Sequence, residues 1–416
     1  FGNKRRKSSS IKNITRSFMI KRTESFIFIS VFLTAGAAIA YEILAASVLT
    51  NLLGSSIYYF SLTIGVFLAA LGIGSWLSSK LEKNLFEKLI AIEIFLAFVG
   101  GALGFLIFGG YVLIFGVLQK AVFSSAFNFI LAVFSGEIIF IIFSFVLVFI
   151  VGVLAGLEIP LFLRIFADYE ILKNAVGKVL FWDYFGALAV SVLTPIVFLP
   201  FFGLIKTSFL VGILNVIAAS LLVLVLRKKE KRIKPFLLVG LAAVLIINLF
   251  GLLKGGNIEL FLERKQYGDR EVLYLQQSSF QRLTFIRDRQ SRKISLYLNG
   301  QGQFESGEWD EIYHESLVHP AMNLAESRRN VLVLGGGDGL ALREILKYPD
   351  VSEVTLVDID AAVVEAAANL DFMKELNQNS FSDSRVKVAI TDAFKFLEKN
   401  RGTKNYDVIF IDFPCP

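Results

Sequence analysis

The stretch "VLVLGGGDGLALREIL", Val331 to Leu346, decides how the C-terminal part of this chain is read. An apolar run, a glycine-rich turn and the opening of a helix, in that order, are how open α/β sheets build a nucleoside site. Backbone N–H groups and a positive helix N-terminus at such a turn ordinarily attract an anion. Asp338 stands inside it. The expected ligand therefore carries positive charge where a nucleotide would carry phosphate.

Working outward, strand 331–335 and helix 340–347 are followed by the strand "VTLVDID", a helix over 361–370, and the strands "VKVAITD" and "YDVIFID". Alternating strands and helices predict a parallel sheet of the Rossmann-like, methyltransferase type. From about Glu271 the pattern has period two: "RLTFIRD" and "KISLYLNG" alternate, and Asn299-Gly300 is a hairpin signal, so a small antiparallel β domain is expected first. "DEIYHESLVHPAM" between the two is helical in composition. The chain ends at Pro416, just after a core-type strand, and begins with Phe1. A doubly wound sheet takes more strands than these, so the expectation is a fragment whose sheet is incomplete at its C-terminus.

Acidic residues mark the strand ends. Asp338 lies in the turn, Asp358 closes the second strand, Asp392 the third and Asp412 the fourth. Strand C-termini converge on the ligand crevice in such sheets, and an acid about twenty residues past the turn is placed to accept hydrogen bonds from ribose hydroxyls. Each Asp taken singly reads equally well as a cap or turn residue. Together they repel phosphate and favour a cation with a nucleoside body. Decarboxylated S-adenosylmethionine fits that description, whereas S-adenosylmethionine itself would set its carboxylate against Asp338. "HESLVH" imitates a zinc helix, but His314 and His319 are five apart, about 140° around a helix, so no metal is expected.

The rest of the chain is of another kind. Of 416 residues 55% are hydrophobic, only 19% are charged, and 41 are Phe, which predicts a membrane-embedded part. Apolar segments fall at 26–48, 57–78, 89–110, 138–157, 179–200, 205–226 and 236–253. The division expected is a basic tail (1–25), a membrane domain of about seven helices (26–253), a linker (254–270), a β-hairpin region with a helix (271–325) and the nucleoside-binding domain (326–416). The net charge of +6 comes largely from "KRRKSSSIKNITRSFMIKR" and "RKKEKRIK", which flank apolar spans. That argues for lipid contact and against nucleic acid as a partner.

Lys and Arg mark alternate loops: the N-terminus; Lys80, Lys83 and Lys88; Arg164, Lys173 and Lys178; and Arg227 to Lys234. By the positive-inside rule the N-terminus is cytoplasmic. Seven crossings would then put the second domain outside, away from nucleoside cofactors. Cofactor supply favours the cytoplasmic side of a bacterial cell membrane, and the short last segment, read as re-entrant or interfacial, would account for it. Glu42, Glu93, Glu137, Glu158, Arg164 and Asp183 lie in or beside the spans. Acids there either serve a function or pair with one another, as Glu158 with Arg164 would. "AALGIGS" at 69–75 favours close helix packing. Cys415 is the single cysteine, so no intrachain disulfide forms.

"GGGDGLALREILKYP", "VTLVDID", "YHESLVHPAM", "LNGQGQF" and "FQRL" resemble the motifs of the spermidine synthase family, the polyamine aminopropyltransferases, in the family's order. "YEIL", "FSLTIGVFLAALGIGS", "GLEIPLFLRI" and "DYFGAL" resemble its bacterial membrane-fused branch. The resemblance implies transfer of an aminopropyl group from decarboxylated S-adenosylmethionine, a co-substrate, to an amine such as putrescine, with no prosthetic group and a homodimer as candidate assembly. It implies that Gln281, Gly335, Gly337, Asp338, Asp358 and Asp392 hold the donor, that Tyr313, His314 and Asp412 hold the acceptor, and that Asp412 is catalytic. The family's usual Asp-x-x-Asp-Pro motif reads "DFPCP" here, with Cys415 in place of the second acid, and Phe280 stands where Tyr is common. A ligand-binding polyamine sensor or transporter and an S-adenosylmethionine methyltransferase are the alternative readings. Cys415, Glu42, Glu158 and Asp183 carry no assigned role.

Overall fold

In the computed structural model the chain divides into two units, Phe1–Gln266 and Tyr267–Pro416. The structure describes residues 2–413 apart from 55, 122–125, 168–171, 230–232, 269 and 403, with the side chains of 2–23, 56, 117–121, 126–135, 172–173 and 228–229 also excluded. Cys415 lies outside the described residues.

The first unit is helical: α1 (Gly2–Leu53), α2 (Ser56–Ser78), α3 (Leu85–Val99), α4 (Leu103–Ala121), α5 (Ala126–Phe166), α6 (Leu172–Leu193), α7 (Leu199–Lys229) and α8 (Pro235–Gln266). Among the described residues five helices are long and apolar enough to cross a membrane, or six if α3 and α4, bent by 44°, count as one span. One of the five runs from Asn174 to Arg227, 54 residues. At 1.5 Å per residue that is about 80 Å, far more than a hydrocarbon core of about 30 Å. Its break is at Gly203, where φ is 74° and ψ −178°. Glu259 of α8 accepts the Ile205 amide at 3.3 Å, satisfying a donor that the break leaves without an intrahelical partner. The segments expected at 179–200 and 205–226 fall on either side of this break.

α1 is helical from Gly2 onward, so the basic tail expected over 1–25 is continuous in backbone with the helix that follows it. Two expectations are corrected here. The linker expected from 254 is instead the last part of α8, which runs to Gln266. Its glycines are contact points and not breakers: a Cβ on Gly251 would lie 2.3 Å from the Phe209 ring, and one on Gly255 2.8 Å from Lys206 Cγ. The last apolar segment is therefore not short: it is part of a 32-residue helix of spanning length, and the α3–α4 pair, too, has the bend of a broken span or a re-entrant loop.

Small residues set the other close contacts. A Cβ on Gly74 would meet the Val153 carbonyl oxygen at 2.1 Å, and one on Gly156 the Leu71 oxygen at 2.3 Å, so α2 and α5 touch backbone to backbone along "AALGIGS".

In the second unit β1 (Glu271–Gln277), β2 (Arg282–Arg287), β3 (Ile294–Leu298) and β4 (Gln301–Glu305) pair antiparallel in sequence order. Asn299 and Gly300 both have positive φ, 48° and 77°, the backbone of a type I′ turn. The helix α9 (Glu308–Leu324) leads to β5 (Asn330–Gly335), α10 (Leu340–Ile345), β6 (Glu353–Asp358), α11 (Ala361–Asn369), α12 (Asp371–Leu376), β7 (Val386–Ile390), α13 (Ala393–Asn400) and β8 (Val408–Asp412). These four strands form a parallel sheet in the order β7-β6-β5-β8. Val331, Val333, Val354, Leu356, Val408 and Phe410 are buried on one side with Val318 and Met322 of α9. Leu283, Phe285 and Leu296 of the antiparallel sheet pack on Ala362, Ala366 and Met373. The strand order reverses direction at β5, so the crevice opens beyond Gly335 between β6 and β8.

Candidate active site

The glycine turn leaves β5 with positive φ at Gly335, Gly336 and Gly339 (84°, 66° and 79°), a backbone that residues with a Cβ adopt only under strain. Gly337 is required for a different reason. A Cβ there would fall 2.5 Å from Asp358 Oδ2, which accepts the Gly337 amide at 3.0 Å. Asp358 Oδ1 accepts the Asp360 amide at 2.8 Å. The acid that ends β6 is thus fixed against the turn, with lone pairs left on both oxygens for ribose-type hydroxyls.

Asp338, one residue before the N-cap Gly339 of α10, accepts the Leu340 amide at 3.0 Å. Burial pushes its carboxyl up to about 6; His314 opposes the shift, and Asp412 adds to it. His314 is buried and sits on Asp310, its Nδ1 2.7 Å from Asp310 Oδ1. Burial alone would lower the ring, yet the bond to Asp310 and the charge of Asp338 hold it above its ordinary value. Asp412 is at the C-terminal end of β8. Its carbonyl accepts the Gly336 amide at 2.9 Å and its Oδ1 the Tyr313 hydroxyl at 3.0 Å.

The ligand-type atoms of His314, Asp338 and Asp412 lie within 4.8 Å of one another. A compact set of two carboxylates and one imidazole suits an ammonium, which donates charge-assisted hydrogen bonds to several acceptors. His319 belongs to another network, its Nε2 3.1 Å from Glu344 and its Nδ1 2.9 Å from the Tyr348 hydroxyl, so the two histidines do not converge.

A cavity of about 570 Å³ unites these groups, within the usual size of small-molecule sites. Gln281, Tyr313, His314, Gly335, Gly337, Asp338, Asp358, Asp392 and Asp412 all line it, with Leu296, Leu298, Val357, Ile359 and Val363 supplying apolar wall. Asp392 needs a correction: β7 ends at Ile390, and Asp392 is the N-cap of α13, accepting the Lys395 amide at 2.9 Å. It lines the cavity as a cap because the chain turns from strand to helix there. Glu42, Glu158 and Asp183 belong to the helical unit. Glu158 is not paired with Arg164 there. The guanidinium donates to the Ser78 carbonyl at 3.0 Å, and Glu158 faces Glu93 and Thr34.

Several contributors escaped the reading of the sequence. Asp360 accepts from both Ser278 Oγ (2.7 Å) and Gln281 Nε2 (3.0 Å), so the glutamine's pose is set from α11. Asp360 could have been found as an Asp preceding an apolar helical run, an N-cap signal. Asp310 is four residues before His314, on the same helical face, and Arg343 Nη1 lies 3.1 Å from its other oxygen. Gln301 and Gln303 of β4 also reach the cavity.

A family model described as the spermine/spermidine synthase domain matches residues 310–416. A polyamine aminopropyltransferase of Leptospira interrogans is 40% identical over 394 residues, 94% of this chain and 73% of that protein. One of Oceanobacillus iheyensis is 38% identical over 398 residues, 95% and 72% of the two chains. A solved structure, spermidine synthase from Thermotoga maritima, matches at 32% identity over 34% of this chain and 47% of its own, about half its length, with a TM-score of 0.31. In class the second unit is a Rossmann-like domain of the spermidine synthase kind. The chain belongs to the polyamine aminopropyltransferase family and is an aminopropyltransferase by that membership.

Proposed function

We propose that this protein transfers the aminopropyl group of decarboxylated S-adenosylmethionine to putrescine, giving spermidine and methylthioadenosine. The observation that carries this reading is Asp338: a carboxylate inside the glycine turn, within 4.8 Å of His314 and Asp412. The set suits a donor whose tail ends in an ammonium and disfavours one that also carries a carboxylate, which counts against the methyltransferase alternative. Asp338 holds the donor's ammonium, Asp358 the ribose hydroxyls, and Asp392 with the apolar wall the base. Gln281, oriented by Asp360, lies beside the donor.

The acceptor amine is protonated at neutral pH and becomes a nucleophile only on losing a proton. Asp412, held by Tyr313, orients that nitrogen and takes the proton. The freed lone pair attacks the carbon attached to the sulfonium, the C–S bond breaks, and its electrons stay on sulfur. A sulfonium is already a good leaving group, so in-line placement supplies much of the remaining acceleration. Tyr313 and His314 line the amine end. Calorimetry of the full-length protein with the decarboxylated and carboxylated donors, then a product assay with putrescine, tests the reading. Equal affinities and no spermidine would refute it.

The helical unit is read as membrane-embedded, in contact with lipid, with a cytoplasmic N-terminus and the catalytic unit on the cytoplasmic side, where the donor is made. An even number of crossings follows, so either the bent α3–α4 pair or α8 does not cross. Reporter fusions after residues 82, 121 and 232 distinguish the two, and an external reporter signal from the catalytic unit would overturn the placement. The catalytic form is read as a homodimer, to be checked by light scattering in detergent. One observation favours a second reading: Cys415 stands where the family has an acid, which suits a protein that binds polyamine without turnover.

A further inference from the structure

Four helices of the first unit bring polar side chains to one buried point. Tyr41 of α1, Glu93 of α3, Glu158 of α5 and Asn215 of α7 are each no more than 3% exposed. The Tyr41 hydroxyl donates to Asn215 Oδ1 at 2.7 Å, which turns the amide nitrogen toward Glu93 Oε2, 2.8 Å away. Glu93 and Glu158 face each other within hydrogen-bonding reach. One oxygen of each, Glu93 Oε1 and Glu158 Oε1, has no donor among the described residues, although both are buried. The other ionisable groups acting on the pair are Tyr41 and, from α6, Asp183, neither of them a cation. No Lys or Arg pairs with either carboxyl among the described residues.

Two carboxylates in contact and without a counter-ion repel each other strongly in a water-poor site; the usual resolution is a single proton shared between them. Asn215 donates to Glu93 and so marks it as the accepting partner, leaving Glu158 to carry the hydrogen.

We propose that Glu93 and Glu158 form a proton-binding site in the core of the helical unit, holding one exchangeable proton between them. The four contributing helices, α1, α3, α5 and α7, are joined through it, so gain or loss of the proton changes how they pack. Acids so placed in apolar helical bundles serve as relays or as coupling sites for movement of another solute. This inference stands apart from the chemistry of the second unit.

The test uses the full-length protein in detergent and infrared difference spectra recorded over a pH series. A protonated-carboxyl band that shifts in heavy water and fades as pH rises is expected. Glu93→Gln and Glu158→Gln should each abolish it, and Asp183→Asn should leave it. Persistence of the band in both Gln variants overturns the proposal, as does a band removed by sodium at constant pH, which would mean a metal-ion site. A second measurement needs no variant: a hydrophobic carbodiimide should label Glu93 or Glu158 in the unmodified protein, less as pH rises. Absence of label on both at low pH is equally decisive against it.

Discussion

The Tyr313 hydroxyl donates to Asp412 Oδ1 at 3.0 Å, joining helix α9 to the last residue of β8. The Asp412 carbonyl is held in turn by the Gly336 amide. Asp412, the proposed base, is therefore anchored twice, once through its carboxylate and once through its backbone. Removing it should cost about 10² to 10⁴ in turnover, the usual range for a general base. Tyr313→Phe keeps the ring and loses only the donor, so the expected loss is smaller, with kcat falling more than KM rises. Steady-state kinetics of the two variants checks the order. Equal losses would place the tyrosine itself in the chemistry.

The Asp338 carboxyl, raised to about 6 by burial, predicts a pH-dependent donor affinity. It must be ionised to hold an ammonium, so binding should weaken as pH falls through about 6 and should release protons at the lower end. His314, held above its ordinary value, adds repulsion in the same direction when charged. In the unliganded protein the effect on folding has the opposite sense. The folded carboxyl keeps its proton more tightly than the unfolded one, so its contribution to stability is present below its ordinary value of 3.8 and is lost as pH rises through about 6. Calorimetry in buffers of different ionisation heat measures the proton release. Asp338→Asn should flatten the profile and narrow the preference for the decarboxylated donor, expected to be about tenfold or more, about 1.4 kcal/mol.

Much of this site could be read from the sequence because open parallel sheets gather the C-terminal ends of their strands. Asp358 and Asp412 needed only their strands to be recognised, and apolar runs bounded by turns mark those well. Asp392 read as a strand end because it follows the apolar alternation of "VKVAI", although the chain leaves the strand at Ile390 and Asp392 caps the next helix. Asp310, Arg343 and Glu344 were hidden for a physical reason. Charged side chains in helical segments read as solvated faces, yet these, Asp310 on α9 and Arg343 with Glu344 on α10, pair with one another and are buried. The reach of Asp360 to Gln281 spans 79 positions, and no local pattern encodes it. In the helical unit the apolar segments were plain. The glycines of "LKGGNIE" look like a linker until Lys206 is seen packed against Gly255.

Asp358 and Gly337 make a paired prediction. Hydrogen bonds from hydroxyls to a carboxylate contribute about 1.5 to 3 kcal/mol in total, so Asp358→Ala should weaken both the donor and methylthioadenosine. Gly337→Ala brings a methyl to 2.5 Å from Asp358 Oδ2 and should weaken the same two ligands while the carboxylate remains. Unchanged methylthioadenosine affinity in both variants would remove Asp358 from the ribose position.

Cys415 separates an enzyme from a binding protein. The resemblance implies an acceptor held between two acids, and this chain has Asp412 and Cys415 at the matching sequence positions. Loss of one ion-pair partner weakens attraction for a diamine, but Asp412, the proposed base, remains. Turnover should therefore survive at a reduced level, with a raised KM for putrescine or a preference for another amine, and Cys415→Asp should lower that KM. A change confined to KM marks an interaction made equally in ground and transition states. Asp412→Ala should instead act mainly on kcat. Product formation from the decarboxylated donor and several amines, by the unmodified chain and these two variants, decides the matter. If the unmodified chain binds ligand and forms no product while Cys415→Asp does, the natural protein is a polyamine-binding descendant of the enzyme.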